Sequence, residues 1–178
     1  MDNLIIRKAE YKDIDTVEKI YDDILDREES TGVVYTNWHK GLYPTRADAE
    51  KAFEAGTLYV GEIGSNVVAC VNLNSIQPEE YSKINWSTEA EDNEVLVIHT
   101  LCISPKYAGK KIGNKFVDFA EELAENSGCK TIRIDTYEGN IPAASLYTKK
   151  GYAYTGSADF LFQGVIPERL KCFDKIIK

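Results

Sequence analysis

The sequence predicts a single α/β domain built on one mixed sheet, and three observations lead to this prediction. The chain has 178 residues, a length that suits one domain. Segments with the period of a helix alternate along it with runs rich in β-branched residues. An unbroken apolar run, EVLVIHTLCIS, precedes a helix-like segment and then a second strand-like run. Strands joined in this way are parallel, so at least one parallel pair is expected.

The first half of the chain predicts three strands and two helices. Residues 3–10 form a first strand, and apolar residues at helical spacing over 12–29 predict a helix. Residues 30–44 show no period and predict a long loop. Thr45 and Asp48 have the spacing of a capping box, and Gly56 ends the short helix that they begin. Runs over 57–63 and 66–74 flank a Gly-Ser-Asn turn and predict a β-hairpin.

The second half predicts a polar loop, then strands and helices in alternation. Residues 75–94 are polar and acidic, with one helical turn, whereas 94–104 predict a central strand covered on both faces. An amphipathic helix follows and ends near Gly128. Residues 130–137 predict a strand and 141–150 a helix with Pro142 in its first turn. The tail over 169–178 predicts a last strand.

Composition and charge exclude several classes of function. A formal net charge of −8 argues against a general nucleic-acid binder, although an acidic surface could favour cationic substrates. Four scattered cysteines and two histidines lack the spacing of a zinc site, so no metal is expected. The start lacks a secretory signal, and no run is long enough to span a membrane. We therefore expect a reducing, cytoplasmic, soluble protein.

One loop is rich in lysine, although the chain as a whole has a negative net charge. The stretch SPKYAGKKIGNK, residues 104–115, gathers four lysines around Gly109 and Gly113 and contains no acid. It lies where a strand ends and a helix begins, and helix N-termini bind phosphate. The spacing fits neither a P-loop nor a Rossmann fingerprint. Asp135 lies about twenty residues further along, at the spacing of the acid that binds the ribose in dinucleotide-binding folds. An enzyme with a nucleotide or adenosyl cofactor therefore remains an alternative.

Residues 98–152 resemble the core of the GNAT superfamily of acetyl-CoA-dependent N-acetyltransferases. The family pairs a loop close to R/Q-G-x-G-x-G/A with a later N-x-x-A-x-x-x-Y-x-x-x-G-F/Y. The second motif is matched at its spacing by Asn140, Ala143, Tyr147, Gly151 and Tyr152. Two departures fall in the loop: Ala108 replaces the usual Arg or Gln, and Lys111 replaces a usual Gly.

The resemblance implies both a fold and a cofactor site. It implies a mostly antiparallel central sheet with one parallel, splayed pair, flanked by helices. It implies acetyl-CoA as cofactor, held through the main chain of Leu101, Cys102 and Ile103. The diphosphate would lie on the loop and the start of the next helix, and Asn140, Ala143 and Tyr147 would lie further along the cofactor. The loop residues concerned are Ala108, Gly109, Lys110, Lys111, Ile112, Gly113 and Asn114.

The resemblance also implies catalytic roles. Tyr147 would protonate the departing thiolate, and an N–H near Ile103 would stabilise the oxyanion. His99 is the candidate general base, since its ordinary pKa suits proton removal, and Glu94 is a second candidate. The same His99 could instead be a hydrogen-bonded core residue. Aromatic residues in irregular segments would line the acceptor pocket or plug the core: Trp38, Tyr43, Tyr81 and Trp86.

The predicted function is transfer of an acetyl group from acetyl-CoA to an amine of a small molecule or peptide. The expected partners include neither nucleic acid nor membrane, and a homodimer is left open. The alternatives are the nucleotide- or adenosyl-cofactor enzyme and a non-catalytic acyl-CoA-binding sensor.

Overall fold

The computed structural model describes residues 3–177, which form seven strands and four helices. The strands are β1 (Leu4–Lys8), β2 (Leu58–Ile63), β3 (Asn66–Asn74), β4 (Val95–Ile103), β5 (Thr131–Tyr137), β6 (Ala153–Phe162) and β7 (Ile166–Ile176). The helices are α1 (Ile14–Thr31), α2 (Arg46–Glu54), α3 (Ile112–Asn126) and α4 (Ile141–Lys149). No helix over 3–177 combines the length and the apolar character that a membrane crossing requires.

The strands form one sheet in the order β1-β2-β3-β4-β5-β7-β6. β2 pairs antiparallel with β1 and with β3, and β7 pairs antiparallel with β5 and with β6. β4 and β5 are parallel, as a strand–helix–strand unit requires. The predicted mixed, mostly antiparallel sheet with one parallel pair is therefore confirmed.

The chain divides into two compact units, and two of the boundaries between them fall inside β4 and α3. The first contains the residues up to Val33, together with Trp38–Leu73 and Thr100–Phe116. The second contains Val34–Asn37, Asn74–His99 and the residues from Val117 on. That the whole chain forms one domain stays a prediction.

The core of the first unit lies under α1. The apolar spacing that predicts this helix places Ile14, Val17 and Tyr21 on its buried face. They join a cluster with α2, β2 and Cys70 of β3, and Cys102 of β4 belongs to it. The capping box of α2 is also present, because the Thr45 amide donates to Asp48 Oδ2 at 2.7 Å.

The second unit has its own core on β4, β5, β6 and β7. Val95 and Val97 of β4 are completely buried, as is Cys172 of β7. Tyr81 and Phe160 pack with them. The unbroken apolar run over 94–104 predicts a central strand covered on both faces. Only residues 95–98 of β4 are buried without interruption, and His99, Thr100 and Leu101 are half-buried.

One strand was missed by the sequence analysis. No strand was predicted over 152–168, yet β6 occupies Ala153–Phe162 and forms a hairpin with β7. β6 is an edge strand in the sheet order, and half-exposed edge strands tolerate the Gly156, Ser157 and Asp159 that obscured its pattern. The hairpin turns through Gln163 and Gly164, both with positive φ.

Candidate functional site

The parallel pairing of β4 with β5 stops half-way along β4. Its register runs from Val95 opposite Thr131 to Ile98 opposite Ile134. Two residues later Thr100 has φ +51°, a left-handed conformation that is rare inside a strand for a β-branched residue. Its hydroxyl is hydrogen-bonded to the hydroxyl of Tyr43 at 2.5 Å. This irregularity separates the paired part of β4 from the stretch predicted to hold the cofactor.

Beyond Thr100, β4 continues in the first unit with alternating burial. Cys102 is buried in the core of that unit, whereas Leu101 and Ile103 are half-buried. Alternate residues of a strand point to opposite faces. Leu101 and Ile103 therefore share a face that the core cluster of this unit does not cover.

The loop after β4 combines left-handed backbone with the N-terminus of a helix. A 3₁₀ turn over Pro105–Tyr107 leads to Gly109 with φ +79° and Lys111 with φ +59°, and α3 begins at Ile112. Over residues 3–177 no hydrogen bond forms from the amides of Gly109, Lys110 or Lys111. Left-handed residues next to right-handed ones make successive N–H groups converge, and the first amides of a helix have no partner inside it.

The charges of this loop are also available to a ligand. Lys106, Lys110, Lys111 and Lys115 are all exposed, and none forms a salt bridge with any described residue. Lys19, Lys40 and Lys130, by contrast, are paired with carboxylates. The ammonium group of Lys110 lies over the Tyr107 ring, 4.8 Å from its centroid. Ammonium groups that have no carboxylate partner among residues 3–177, beside amides that form no hydrogen bond there, fit the diphosphate of a nucleotide cofactor.

The two departures from the family loop have different structural consequences. Ala108 is exposed and brings no polar side chain to the loop. Lys111 adopts the left-handed conformation for which glycine is the usual residue. The backbone of the loop is thus preserved without the glycine, and Lys111 adds a charge.

The second unit contains the other motif, on α4. Asn140 Oδ1 accepts a hydrogen bond from the Ala143 amide at 3.1 Å, so Asn140 is the N-cap of α4. Tyr147 is buried, and its ring lies 5.9 Å from that of Tyr152 and 6.0 Å from that of Phe173. Besides any contact with a cofactor, these motif residues therefore stabilise the helix and the core.

His99 is the last residue of β4 that belongs to the second unit, and the contacts of its ring define its tautomer. Nε2 lies 3.0 Å from Asn74 Oδ1 and 3.1 Å from the Ile76 carbonyl oxygen. Because a carbonyl can only accept, Nε2 carries the proton and Nδ1 keeps its lone pair. Desolvation lowers the pKa of His99 to about 4, although the bond to Ile76 opposes this. The imidazole is therefore neutral at neutral pH.

Glu94 is poorly suited to act as a base. Its carboxylate pairs with Lys130 at 2.7 Å and accepts from the Glu91 amide at 3.0 Å. Both contacts favour the charged form and hold its pKa below the ordinary value, with Lys130 the larger cause. This carboxylate closes a turn at the start of β4.

The four aromatic residues predicted to line an acceptor pocket form two pairs, one in each unit. In the first unit the rings of Trp38 and Tyr43 lie 5.7 Å apart, edge to face. In the second, the ring of Tyr81 lies 4.8 Å from that of Trp86, whose Nε1 donates to the Tyr81 carbonyl. Trp38 and Trp86 both pack against a core cluster, so packing accounts for much of their environment.

Sequence reasoning missed one group of residues in the second unit. Tyr81 donates its hydroxyl hydrogen to Asp135 Oδ2 at 2.8 Å, and Glu168 of β7 interacts electrostatically with Asp135. Asp135 was considered only as a ribose-binding acid, and Glu168 was not considered. The signal for Glu168 is an acid at a position whose alternate neighbours, Leu170 and Cys172, face the core.

Comparison with known proteins gives a consistent result. The model of the acetyltransferase (GNAT) family matches residues 17–152. A streptothricin acetyltransferase from Escherichia coli is 26% identical over 110 residues, 62% of this chain and 55% of that protein. A spermine/spermidine N(1)-acetyltransferase from Bacillus subtilis is 35% identical over 69 residues, 38% of this chain and 45% of that protein. The chain thus matches about half the length of these curated relatives.

Solved structures share the fold. An acetyltransferase of the GNAT family from Streptococcus agalactiae has a TM-score of 0.81 at 22% identity and covers 98% of this chain and 96% of its own. The yncA protein from Salmonella typhimurium, solved with its cofactor acetyl-CoA, has a TM-score of 0.68 at 15% identity, with 98% and 94% covered.

Proposed function

Because this chain belongs to the GNAT acetyltransferase family, whose model matches residues 17–152, we propose that it transfers the acetyl group of acetyl-CoA to an amine of a small molecule or peptide. The observation that carries the proposal is the loop before α3. There, amides without a hydrogen-bond partner lie beside four exposed lysines that form no salt bridge with any carboxylate of residues 3–177. In an acidic chain, such a site favours a polyanionic ligand.

The cofactor-binding roles are distributed over the two motifs. The loop amides and Lys110 and Lys111 would bind the diphosphate, and the main chain of Leu101–Ile103 would hold the pantetheine arm. Asn140 and Ala143 would contact the cofactor further along. When bound, acetyl-CoA supplies an acetyl group activated as a thioester.

Two side chains would move protons. The Nδ1 atom of His99 would take a proton from the acceptor ammonium, directly or through water, because this nitrogen keeps its lone pair. Its low pKa makes it a weaker base than an ordinary histidine but leaves it deprotonated at neutral pH. Tyr147 Oη would deliver a proton to the thiolate sulfur, and the amide of Ile103 would donate to the oxyanion.

The comparisons support a small amine as acceptor. The curated relatives are named for acetylation of streptothricin and of spermine or spermidine. The two alternatives differ in what binds and what reacts. An enzyme with an adenosyl cofactor would bind adenosylmethionine, and a sensor would bind acetyl-CoA without releasing thiol.

Thiol release tests the proposal. With acetyl-CoA and a panel of small primary amines, we expect thiol release that depends on the amine. Calorimetry with adenosylmethionine should detect no binding. Replacing Tyr147 by Phe removes the proton donor, so turnover should fall by about 10²-fold or more while acetyl-CoA affinity stays nearly the same.

The matched control is Tyr154→Phe, because Tyr154 is an exposed tyrosine of β6. This variant should turn over like the wild type. Unchanged turnover in Tyr147→Phe would remove Tyr147 from the mechanism. Acetyl-CoA binding with no thiol release from any amine would instead support the sensor.

A further inference from the structure

The second unit contains two carboxyl groups on one face of the sheet, which we call the acid pair: Asp135 of β5 and Glu168 of β7. Asp135 lies opposite Cys172 in the antiparallel register. Because side chains alternate along a strand, Glu168, four residues before Cys172, lies on the same face. Glu168 is only 5% exposed, and Asp135 is partly exposed. A ligand could therefore reach the acid pair at Asp135.

Residues 3–177 do not supply a hydrogen-bond partner for every oxygen of the acid pair, nor a positive charge beside it. Tyr81 donates to Asp135 Oδ2 at 2.8 Å, and Asn37 forms a hydrogen bond with Glu168. Glu168 Oε1 is buried and has no hydrogen-bond partner over residues 3–177. Neither carboxyl forms a salt bridge with a Lys, Arg or His of this range. Buried polar atoms are normally hydrogen-bonded, so Glu168 Oε1 is available to accept a hydrogen bond from a ligand.

The neighbouring charged groups do not supply that partner. Glu80 adds negative charge near Asp135, and the Cys172 thiol is also close to this carboxyl. Arg133 lies two residues before Asp135 on β5, but its guanidinium donates to Gln77 Oε1 and to the Thr88 carbonyl. It also covers the ring of Trp86 at 4.6 Å.

The electrostatic consequence appears in the pKa of each carboxyl. Desolvation raises the pKa of Asp135 to about 6, with Glu80 adding to the rise and the Tyr81 hydrogen bond opposing it. Desolvation, then repulsion by Asp135, raises the pKa of Glu168 to about 7, and the Asn37 hydrogen bond opposes this. Near neutral pH the acid pair therefore holds a proton that a cation could replace.

The surroundings favour an organic cation. The ring of Tyr81 contacts the rings of Trp86 and Phe160, and Tyr137 packs against the same cluster. Aromatic faces attract ammonium groups, and more strongly where water is excluded. Among residues 3–177 no group of three His, Cys, Asp or Glu is placed to hold a metal ion.

We propose that the acid pair, with the hydroxyl of Tyr81 and the surrounding rings, binds an ammonium group of the acceptor, which is therefore a cationic amine. The ammonium would donate to Glu168 Oε1, and the carboxyl of Asp135, which interacts electrostatically with Glu168, would add to its attraction. The identification of this cation with the acceptor rests on the proposed function. The cation site itself does not.

Calorimetry without cofactor tests the proposal, with 1,4-diaminobutane as probe and 1,4-butanediol as the uncharged analogue. The diamine should bind and the diol should not. Glu168→Gln and Asp135→Asn should each weaken diamine binding by about tenfold or more, the effect expected when one partner of a buried charge pair is removed. Asp159→Asn is the control, because that carboxylate is exposed and pairs with Arg169.

The proton balance is a second readout. Diamine binding should release protons near pH 6.5, measured by repeating the titration in buffers of different ionisation enthalpy, and release should be lost in Glu168→Gln. Diamine binding no tighter than diol binding, or equal in Glu168→Gln and wild type, would overturn the proposal. Acetyl-CoA is titrated separately. If the protein binds the diamine through the acid pair but does not bind acetyl-CoA, the transferase function is rejected and the cation site is not.

Discussion

Lys111 occupies a backbone conformation that favours glycine, with φ +59°. A side chain in this region costs on the order of 1 kcal/mol. We therefore expect Lys111→Gly to raise the free energy of unfolding by about 1 kcal/mol, measured by urea denaturation. Lys110→Gly is the control, because it removes the same charge from a residue outside the left-handed region. A gain in both variants, or in neither, would contradict a strain localised at Lys111.

Individual residues also show which features of the structure could be predicted from the sequence and which could not. Asn140, Ala143 and Tyr147 could be recognised because motif and helical spacing coincide there. The φ of Thr100 could not be predicted, because it depends on how β4 pairs with its neighbouring strands and on the hydrogen bond from Thr100 to Tyr43. Glu168 was missed because its burial depends on the register of β7 against β5 and β6.

The loop before α3 depends on backbone shape as much as on charge. Gly109 has φ +79°, and a Cβ there would meet no atom within 4 Å, so the requirement for glycine is conformational. Gly109→Ala should lower the free energy of unfolding by about 1 kcal/mol and also weaken acetyl-CoA binding, because the amides would shift. Urea denaturation and calorimetry measure the two effects.

Gly164→Ala provides the matched control. Gly164, in the β6–β7 turn, has φ +69° and equally open surroundings. This variant should lose similar stability and keep full acetyl-CoA affinity. Equal affinity in both variants would mean that the loop does not form the cofactor site.

Among the elements, those with a clear hydrophobic period were predicted well. The apolar face of α1 follows from its spacing, and β4 follows from an unbroken run rich in β-branched residues. β6 was missed because an edge strand needs only one covered face, and its polar residues resemble those of a loop. The pairing of β6 with β7 depends on a turn at Gln163 and Gly164, whose sequence is a weak signal.

The stability of the protein should depend on pH through the acid pair. Glu168 has a raised pKa of about 7, so the folded state binds a proton that the unfolded state lacks between about pH 4.5 and 7. Stability therefore falls as the pH rises from about 4.5 to 7 and stays at the lower level above pH 7, where Glu168 is ionised in both states. Glu168→Gln should therefore raise the free energy of unfolding at pH 8, by on the order of 3 kcal/mol at most, and change it little at pH 4.5.

Urea denaturation of wild type and Glu168→Gln at the two pH values measures this difference. His99 acts in the opposite sense, since its lowered pKa makes stability fall as pH drops from about 6.5 towards 4. This contribution is common to both proteins and cancels in the comparison. A variant less stable than wild type at pH 8 would show that the ionised Glu168 is well compensated.

The most direct test of acetyl-CoA binding at the loop before α3 is calorimetric titration of acetyl-CoA into the Lys110→Glu, Lys111→Glu double variant. The reversed charges should weaken binding by about tenfold or more, and the loss should shrink as salt concentration rises. A Lys51→Glu, Lys83→Glu variant, with exposed lysines elsewhere changed, should bind like the wild type. Equal affinity in all three proteins at low salt would contradict the account.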